Sequence, residues 1–298
     1  GLHNIVYTGD FKYAHTRLLS KAVDKFPRVE TLIMESTYGE TKLPSRSEAE
    51  ANLLSIIKRT AERGGKTLIP IMSVGRGQEI MLIISEALKS GALQPMPVYI
   101  EGMVTEVTAI HTHYPELMSP SVERAIHSGE NPFYNENFIV VQDRDMRMEI
   151  AEGGPSVILA TSGMLNGGPS VEYLKLLAED QRNSLVFVSF QVEGTLGRKI
   201  KDGQRELMLM NSEGKLVPLK INMEVHSVEG FSGHSDRGEL LSFLENIEPK
   251  PRNIVLNHGE PSAIAQLASA IERKKHVLRW LSGARIYAPS NLDSLLLL

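Results

Sequence analysis

Four residues carry the chemistry open to this sequence: Asp10, Glu35, His234 and His258. Three of them close a short apolar run. Asn4-Ile5-Val6-Tyr7-Thr8 leads to Gly9-Asp10, Leu32-Ile33-Met34 to Glu35-Ser36-Thr37-Tyr38-Gly39, and Ile254-Val255-Leu256 to Asn257-His258-Gly259-Glu260. His234 lies in the loop-like stretch Gly230-Phe231-Ser232-Gly233-His234-Ser235-Asp236. Such runs predict short strands, Ile254-Val255-Leu256 a buried one, and α/β proteins do their chemistry where strands run out into loops. Carboxylate and imidazole are zinc ligands, and a Glu–His pair suits proton transfer. Taken singly, each is more often a capping or satisfied structural residue; four in the same setting are less easily dismissed.

The elements that must position them read as alternating strands and helices. A helical spacing of apolar residues runs from Leu18 to Phe26, and Pro44-Ser45-Arg46 marks a boundary. Ser47-Glu48-Ala49-Glu50 reads as a capping box, followed by Leu53, Leu54, Ile57 and Ala61 on one helical face, with Gly64-Gly65 as the stop. Strands are predicted over 66–72, 98–100, 138–141, 157–160 and 185–188, and helices over 77–89, 103–113 and 170–179. Residues 118–136 read as a surface loop, 206–228 as alternating strands around Ser212-Glu213-Gly214, and 237–245 and 263–274 as helices. Such alternation predicts a parallel sheet covered on both faces.

Three glycine-rich turns lie between these elements: Ser73-Val74-Gly75-Arg76-Gly77, Ser162-Gly163-Met164 with Gly167-Gly168-Pro169-Ser170, and Gly194-Thr195-Leu196-Gly197-Arg198. Each follows a strand and opens a helix, so backbone N–H groups face whatever binds there. Arg76 and Arg198 add charge-assisted contacts suited to phosphate. One such turn is an ordinary βα connection; three on one sheet suggest a shared phosphate-facing edge. Phe133 and Tyr134 can stack on bases or pack in the core. His111 and His113 belong to the helix before Tyr114-Pro115 rather than to a metal cluster.

Composition narrows the field. A chain of 298 residues with 42% hydrophobic content has room for about two domains, each with a core. No apolar run approaches the roughly 20 residues of a membrane span, no secretory signal is visible, and a cytoplasmic setting is expected. With no cysteine there is neither a disulfide nor a thiolate metal site, so any zinc is held by imidazole and carboxylate. The formal charge of −4 means that nucleic acid must be met by local Arg and Lys clusters.

The motifs together resemble the β-CASP branch of the metallo-β-lactamase superfamily, and most closely the archaeal cleavage and polyadenylation specificity factor-like ribonucleases. They are Tyr7-Thr8-Gly9-Asp10-Phe11, Met34–Gly39, Val74–Glu79, Ser162–Met164, Gly194–Arg198, Phe231–Asp236 and His258-Gly259-Glu260, in that order along essentially the whole chain. The resemblance implies an α/β chain: part of a metallo-β-lactamase αββα domain (1–40 and 231–298) interrupted by a β-CASP parallel-sheet domain (41–230). It implies a zinc-dependent ribonuclease of the RNA 3′-end processing or decay type. Asp10 would bridge two zinc ions, His258 would complete the second site, His234 would act as general acid and Glu35 would orient it. Arg76, Arg198, Ser162, Gly194 and Thr195 would contact the RNA phosphates.

One departure is large. The family's His-x-His-x-Asp-His cluster is absent, so the chain reads as the C-terminal portion of a longer protein, inactive alone and without stoichiometric zinc. The other class considered is a non-catalytic RNA-binding or scaffold subunit; a nucleotide-binding enzyme ranks last, because no complete Rossmann or Walker pattern is present. The ending Leu295-Leu296-Leu297-Leu298 is unusually apolar for a terminus. With the resemblance, it predicts a homodimer paired through the C-terminal region.

Overall fold

The computed structural model describes residues 2–211 and 214–297. In chain order the elements are β1 (Ile5–Tyr7), β2 (Thr31–Glu35), α1 (Arg46–Glu62), β3 (Lys66–Pro70), α2 (Arg76–Lys89), β4 (Val98–Glu101), α3 (Val104–His113) and α4 (Pro120–His127). There follow β5 (Phe138–Val140), α5 (Met146–Glu152), β6 (Ser156–Ala160), α6 (Pro169–Leu177), β7 (Ser184–Phe187) and α7 (Leu196–Lys201). The last are β8 (Glu206–Met210), β9 (Leu216–Lys220), β10 (Glu224–Ser227), α8 (Arg237–Asn246), β11 (Asn253–Asn257), α9 (Pro261–Lys274) and β12 (Arg285–Tyr287). The chain divides into two compact units: the first comprises 1–15, 20–43 and 232–298, the second 16–19 and 44–231.

The first unit is a four-stranded parallel sheet in the order β1-β2-β11-β12. Thr31 of β2 is in register with Asn253 of β11, and Glu35 with Asn257, so both strands end side by side. Side chains alternate across a strand. Leu32, Met34, Ile254 and Leu256 therefore share one face, which forms a core with Leu240, Phe243 and Leu244 of α8 and Leu267 and Ile271 of α9.

The second unit holds a six-stranded parallel sheet, β10-β7-β3-β6-β4-β5. β3, β6 and β7 are buried along their whole length, as expected where helices cover both faces. On one side Ile69, Val157, Leu159 and Val186 pack with α1 and α2; on the other Leu68, Ile158, Leu185 and Phe187 pack with α5, α6 and α7. The antiparallel pair β8–β9 joins this second core through Leu207 and Leu219. Ser212 and Glu213, predicted for its turn, lie outside the described residues.

Three local readings need correction. Residues 18–26 are not helical. Leu18 packs in the core of the second unit, while Ala22 N–H donates to the Lys12 carbonyl and Phe26 N–H to that of Glu248. The helical spacing there reflects separate tertiary partners. The α1 capping box is built by Ser45 and Glu48, two residues earlier than expected. The stretch 118–136 contains α4, with Pro120 at its first turn, and Phe133 is buried while Tyr134 is exposed. At the other end Leu292, Leu295 and Leu296 are exposed, and Leu298 lies outside the described residues. Among the described residues no helix is long and apolar enough to cross a membrane.

Candidate metal centre

All four candidate residues meet in the first unit, at the C-terminal edge of its sheet. Asp10 arrives from the turn after β1, where Gly9 takes φ +55°, a left-handed conformation that costs glycine nothing. Glu35 is the last residue of β2. His258 follows β11 at φ +49° and Gly259 follows it. A β-carbon on Gly259 would sit 2.6 Å from the Ser36 carbonyl oxygen, so only glycine lets this turn close against the end of β2. The Ser36 N–H donates to the His258 carbonyl at 3.1 Å and ties the two strand ends together. His234 precedes α8, whose N-cap Asp236 forms a capping box with Glu239.

The side chains converge as donors for a cation. Asp10 Oδ1 lies 3.1 Å from His258 Nδ1, and Asp10 Oδ2 lies 3.9 Å from His234 Nε2. One ligand atom from each of Asp10, His234 and His258 falls within 4.8 Å of the others, and no other such group occurs among the described residues. Ligands about 2.0–2.1 Å from a tetrahedral zinc sit roughly 3.3 Å from one another. The 3.1 Å spacing of Asp10 and His258 and their oxygen–nitrogen donor set suit a cation such as zinc.

His234 is held from behind. Its Nδ1 lies 2.7 Å from Glu35 Oε2, while Glu35 Oε1 accepts from the Phe11 N–H at 2.9 Å. Glu35 is 1% exposed. Burial pushes its carboxyl up, but the hydrogen bonds from His234, the Phe11 N–H and Thr37 outweigh it and leave the group below its ordinary value. The hydrogen bond to Glu35 raises His234 above the usual imidazole value, against an opposing contribution from desolvation. With Nδ1 donating to Glu35, Nε2 is left facing Asp10. The two imidazoles stack with centroids 5.6 Å apart.

The signs make the pair testable. The His234 contribution to stability is full below the unfolded imidazole value and is lost as pH rises through its raised folded value. The Glu35 contribution is present above the unfolded carboxyl value and is lost as pH falls through its lowered one. In the metal-free protein, Glu35→Gln is expected to lower the His234 titration midpoint, followed by imidazole NMR signals. An unmoved midpoint would show that Glu35 does not hold the imidazolium.

Three further residues complete the arrangement, none of them assigned a role from sequence. Thr37 Oγ1 is 3.2 Å from both His234 Nδ1 and His258 Nδ1, and lies the same distance from the His258 carbonyl. The Thr37 hydroxyl donates to the His258 carbonyl, and with the His234 Nδ1 proton on Glu35 its approach to that ring is a packing contact. Lys12 Nζ donates to the His234 carbonyl at 3.1 Å and pairs with Glu239 at 2.8 Å. The buried Ser235 hydroxyl accepts from Tyr13 N–H at 2.9 Å and donates to the Phe11 carbonyl at 2.8 Å. Thr37 and Ser235 lie inside the quoted motifs, so their hydroxyls were the available signal.

The phosphate candidates lie in the second unit. The turns after β3, β6 and β7 sit at the C-terminal ends of three neighbouring strands. They are linked: Gln191 Nε2 donates to the Gly163 carbonyl and Gly197 N–H to that of Met164. Arg76 opens α2 behind Gly75 at φ +73°. Ser162 Oγ accepts from Asn166 N–H, Gly194 takes φ +86°, and Thr195 caps α7 by accepting from Arg198 N–H. Arg198 pairs with Asp202 at 2.7 Å across one helical turn. His111 and His113 stand in the last turn of α3.

Two sequence profiles and a set of archaeal proteins match this chain. Residues 77–200 match the sequence profile of the Beta-Casp domain, and residues 218–286 that of the Zn-dependent metallo-hydrolase RNA specificity domain. The chain is 48% identical over 300 residues to "Transcription termination factor FttA" of Thermococcus kodakarensis, an alignment covering 99% of this chain and 45% of that protein. Its identity to the protein of the same name from Lokiarchaeum is 50% over 277 residues, or 92% of this chain and 44% of the relative. With that of Methanocaldococcus jannaschii it is 47% over 299 residues, covering 99% and 46%. The chain thus spans somewhat less than half the length of the curated relatives it matches. The two profiles, the archaeal relatives and the parallel α/β units agree: the chain belongs to the β-CASP branch of the metallo-β-lactamase superfamily.

Proposed function

We propose that this chain is part of a zinc-dependent hydrolase that cleaves phosphodiester bonds in RNA. The observation that carries the reading is the convergence of Asp10, His234 and His258 in front of the buried Glu35. Asp10 and His258 hold metal; bound zinc supplies a hydroxide near neutral pH and offsets charge on the phosphate. His234 presents Nε2 to the reacting group and delivers a proton to the leaving oxygen. Glu35 keeps that ring oriented and favours its charged form, and Thr37 fixes the spacing of the two imidazoles. Arg76, Ser162, Gly194 and Thr195 contact backbone phosphates, joined by Arg198 when a phosphate replaces Asp202.

The matched RNA specificity profile and the relatives' name, transcription termination factor, support a transcript as substrate. Cleavage freeing a nascent RNA end is the role these two findings favour. The exposed leucines near the C-terminus are proposed as the contact of a homodimer.

The test uses the longer protein containing this chain and a labelled single-stranded RNA. Cleavage should vanish after chelation and return with zinc, and Asp10→Ala and His258→Ala should each abolish the recovery. Binding of the RNA without metal-dependent cleavage would replace the hydrolase reading with that of a non-catalytic RNA-binding subunit.

A further inference from the structure

The first unit has two poles. Asp10, Glu35, His234 and His258 lie at the C-terminal ends of its strands, and the parallel topology places the starts of those strands at the opposite end. There Arg285 N–H donates to the Arg252 carbonyl, and Arg252 N–H to that of Glu30, as β12, β11 and β2 begin. Helix α9 connects the end of β11 to the start of β12, so it returns its C-terminus to this pole. Arg273, Lys274 and Lys275 come with it, followed by Arg279 in a short 3₁₀ turn. Strands of five residues at about 3.3 Å each put this surface roughly 15 Å from the histidines.

The charge here opposes that of the whole molecule. Between Glu245 and Arg285 there are seven Lys and Arg against four Glu, in a chain whose formal charge is −4. Internal pairing accounts for part of it. Lys274 bonds Glu245, Lys275 pairs with Glu272, and Lys250 donates to the Glu245 carbonyl and covers the Trp280 ring. Cations in the last turn of α9 also complement the helix dipole. Neither account reaches Arg252, Arg279 and Arg285. All three are exposed, none lies on that helix, and none makes a side-chain hydrogen bond or ion pair among the described residues. Fully charged guanidinium groups gathered against the molecule's overall field are the footprint expected of a polyanion contact.

We propose that this pole is a second RNA-binding surface, which grips the backbone phosphates of single-stranded RNA away from the cleavage site through Arg252, Arg279 and Arg285. The choice of RNA rests on the function proposed above; the position and charge of the surface do not. Held at both poles, a transcript would be anchored while a distant phosphodiester is cut.

The experiment measures binding of a labelled single-stranded RNA across a salt series, for the wild-type chain and for R252Q/R279Q/R285Q. The triple variant should flatten the plot of log affinity against log salt by about 2, at roughly 0.7 for each phosphate no longer neutralised. Arg→Lys at the same positions should keep most of the slope. An unchanged slope in a folded triple variant overturns the proposal. Phenylglyoxal labelling of the wild-type chain, read by mass spectrometry, needs no substitution: RNA should protect these arginines, and equal labelling with and without RNA overturns it. Protection by polyglutamate but not by RNA assigns the pole to an acidic protein segment and overturns it too. Protection by RNA alongside failure of metal-dependent cleavage leaves this surface standing and removes only the hydrolase reading.

Discussion

His234→Ala in the longer protein is expected to lower single-turnover cleavage of RNA by about 10²–10⁴-fold, the usual contribution of a positioned acid or base. The geometry gives the reason. Glu35 occupies Nδ1 at 2.7 Å and is itself buried and fixed by the Phe11 N–H, so the ring is oriented before substrate arrives. Nε2 is the only nitrogen left to transfer a proton. It also lies within reach of the Asp10 and His258 ligand atoms, so the same variant separates two roles. If His234 is the acid, zinc content should hold while cleavage falls. Loss of metal and activity together would make it a ligand instead, and full activity would remove it from the mechanism.

Phe243→Ala is expected to destabilise the first unit by about 3–5 kcal/mol, the range for truncating a buried aromatic ring. Phe243 is 1% exposed and packs its ring 4.7 Å from Phe11 and 5.3 Å from Tyr13, centroid to centroid. Those two residues follow Asp10 and supply the N–H groups bound by Glu35 and Ser235. The cavity would therefore loosen the site as well as the core. Denaturant unfolding measures the cost, and a change below about 1 kcal/mol would mean that the pocket collapses around the missing ring.

The chemistry was more legible than its supports. Asp10, Glu35 and His258 stand out because each closes a run such as Ile254-Val255-Leu256 whose apolar character is local and unambiguous. α4 was also readable, since Ser119-Pro120 is a helix-start signal, but its mixed periodicity hid it. The stretch from Leu18 to Phe26 could not be read this way. Its apolar spacing matches a helix, yet Leu18 and Phe26 answer to different partners, and a periodicity rule sees only one. Thr37 and Lys12 were hidden for a similar reason. Their bonds to His234 and His258 join positions far apart in the chain, a separation over which neighbouring residue types carry no information. The placement of the three glycine-rich turns on adjacent strands follows from the order β7-β3-β6, which no local pattern encodes.

The order of strands in the first sheet dictates when the cluster of Asp10, Glu35, His234 and His258 can exist during synthesis. β2 pairs with β11, Thr31 beside Asn253, and everything from Pro44 to Phe231 belongs to the other compact unit. Asp10 and Glu35 leave the ribosome well before the strand and loops that complete their site. At about 5–20 residues per second the intervening chain takes on the order of tens of seconds to make. Throughout that interval β2 has an open edge and the Glu35 carboxyl lacks the imidazole that offsets its burial. The second unit, whose strands are contiguous in sequence apart from the short 16–19 segment, can fold meanwhile. A site assembled in this order stays incomplete until β11 and its histidine turn have emerged.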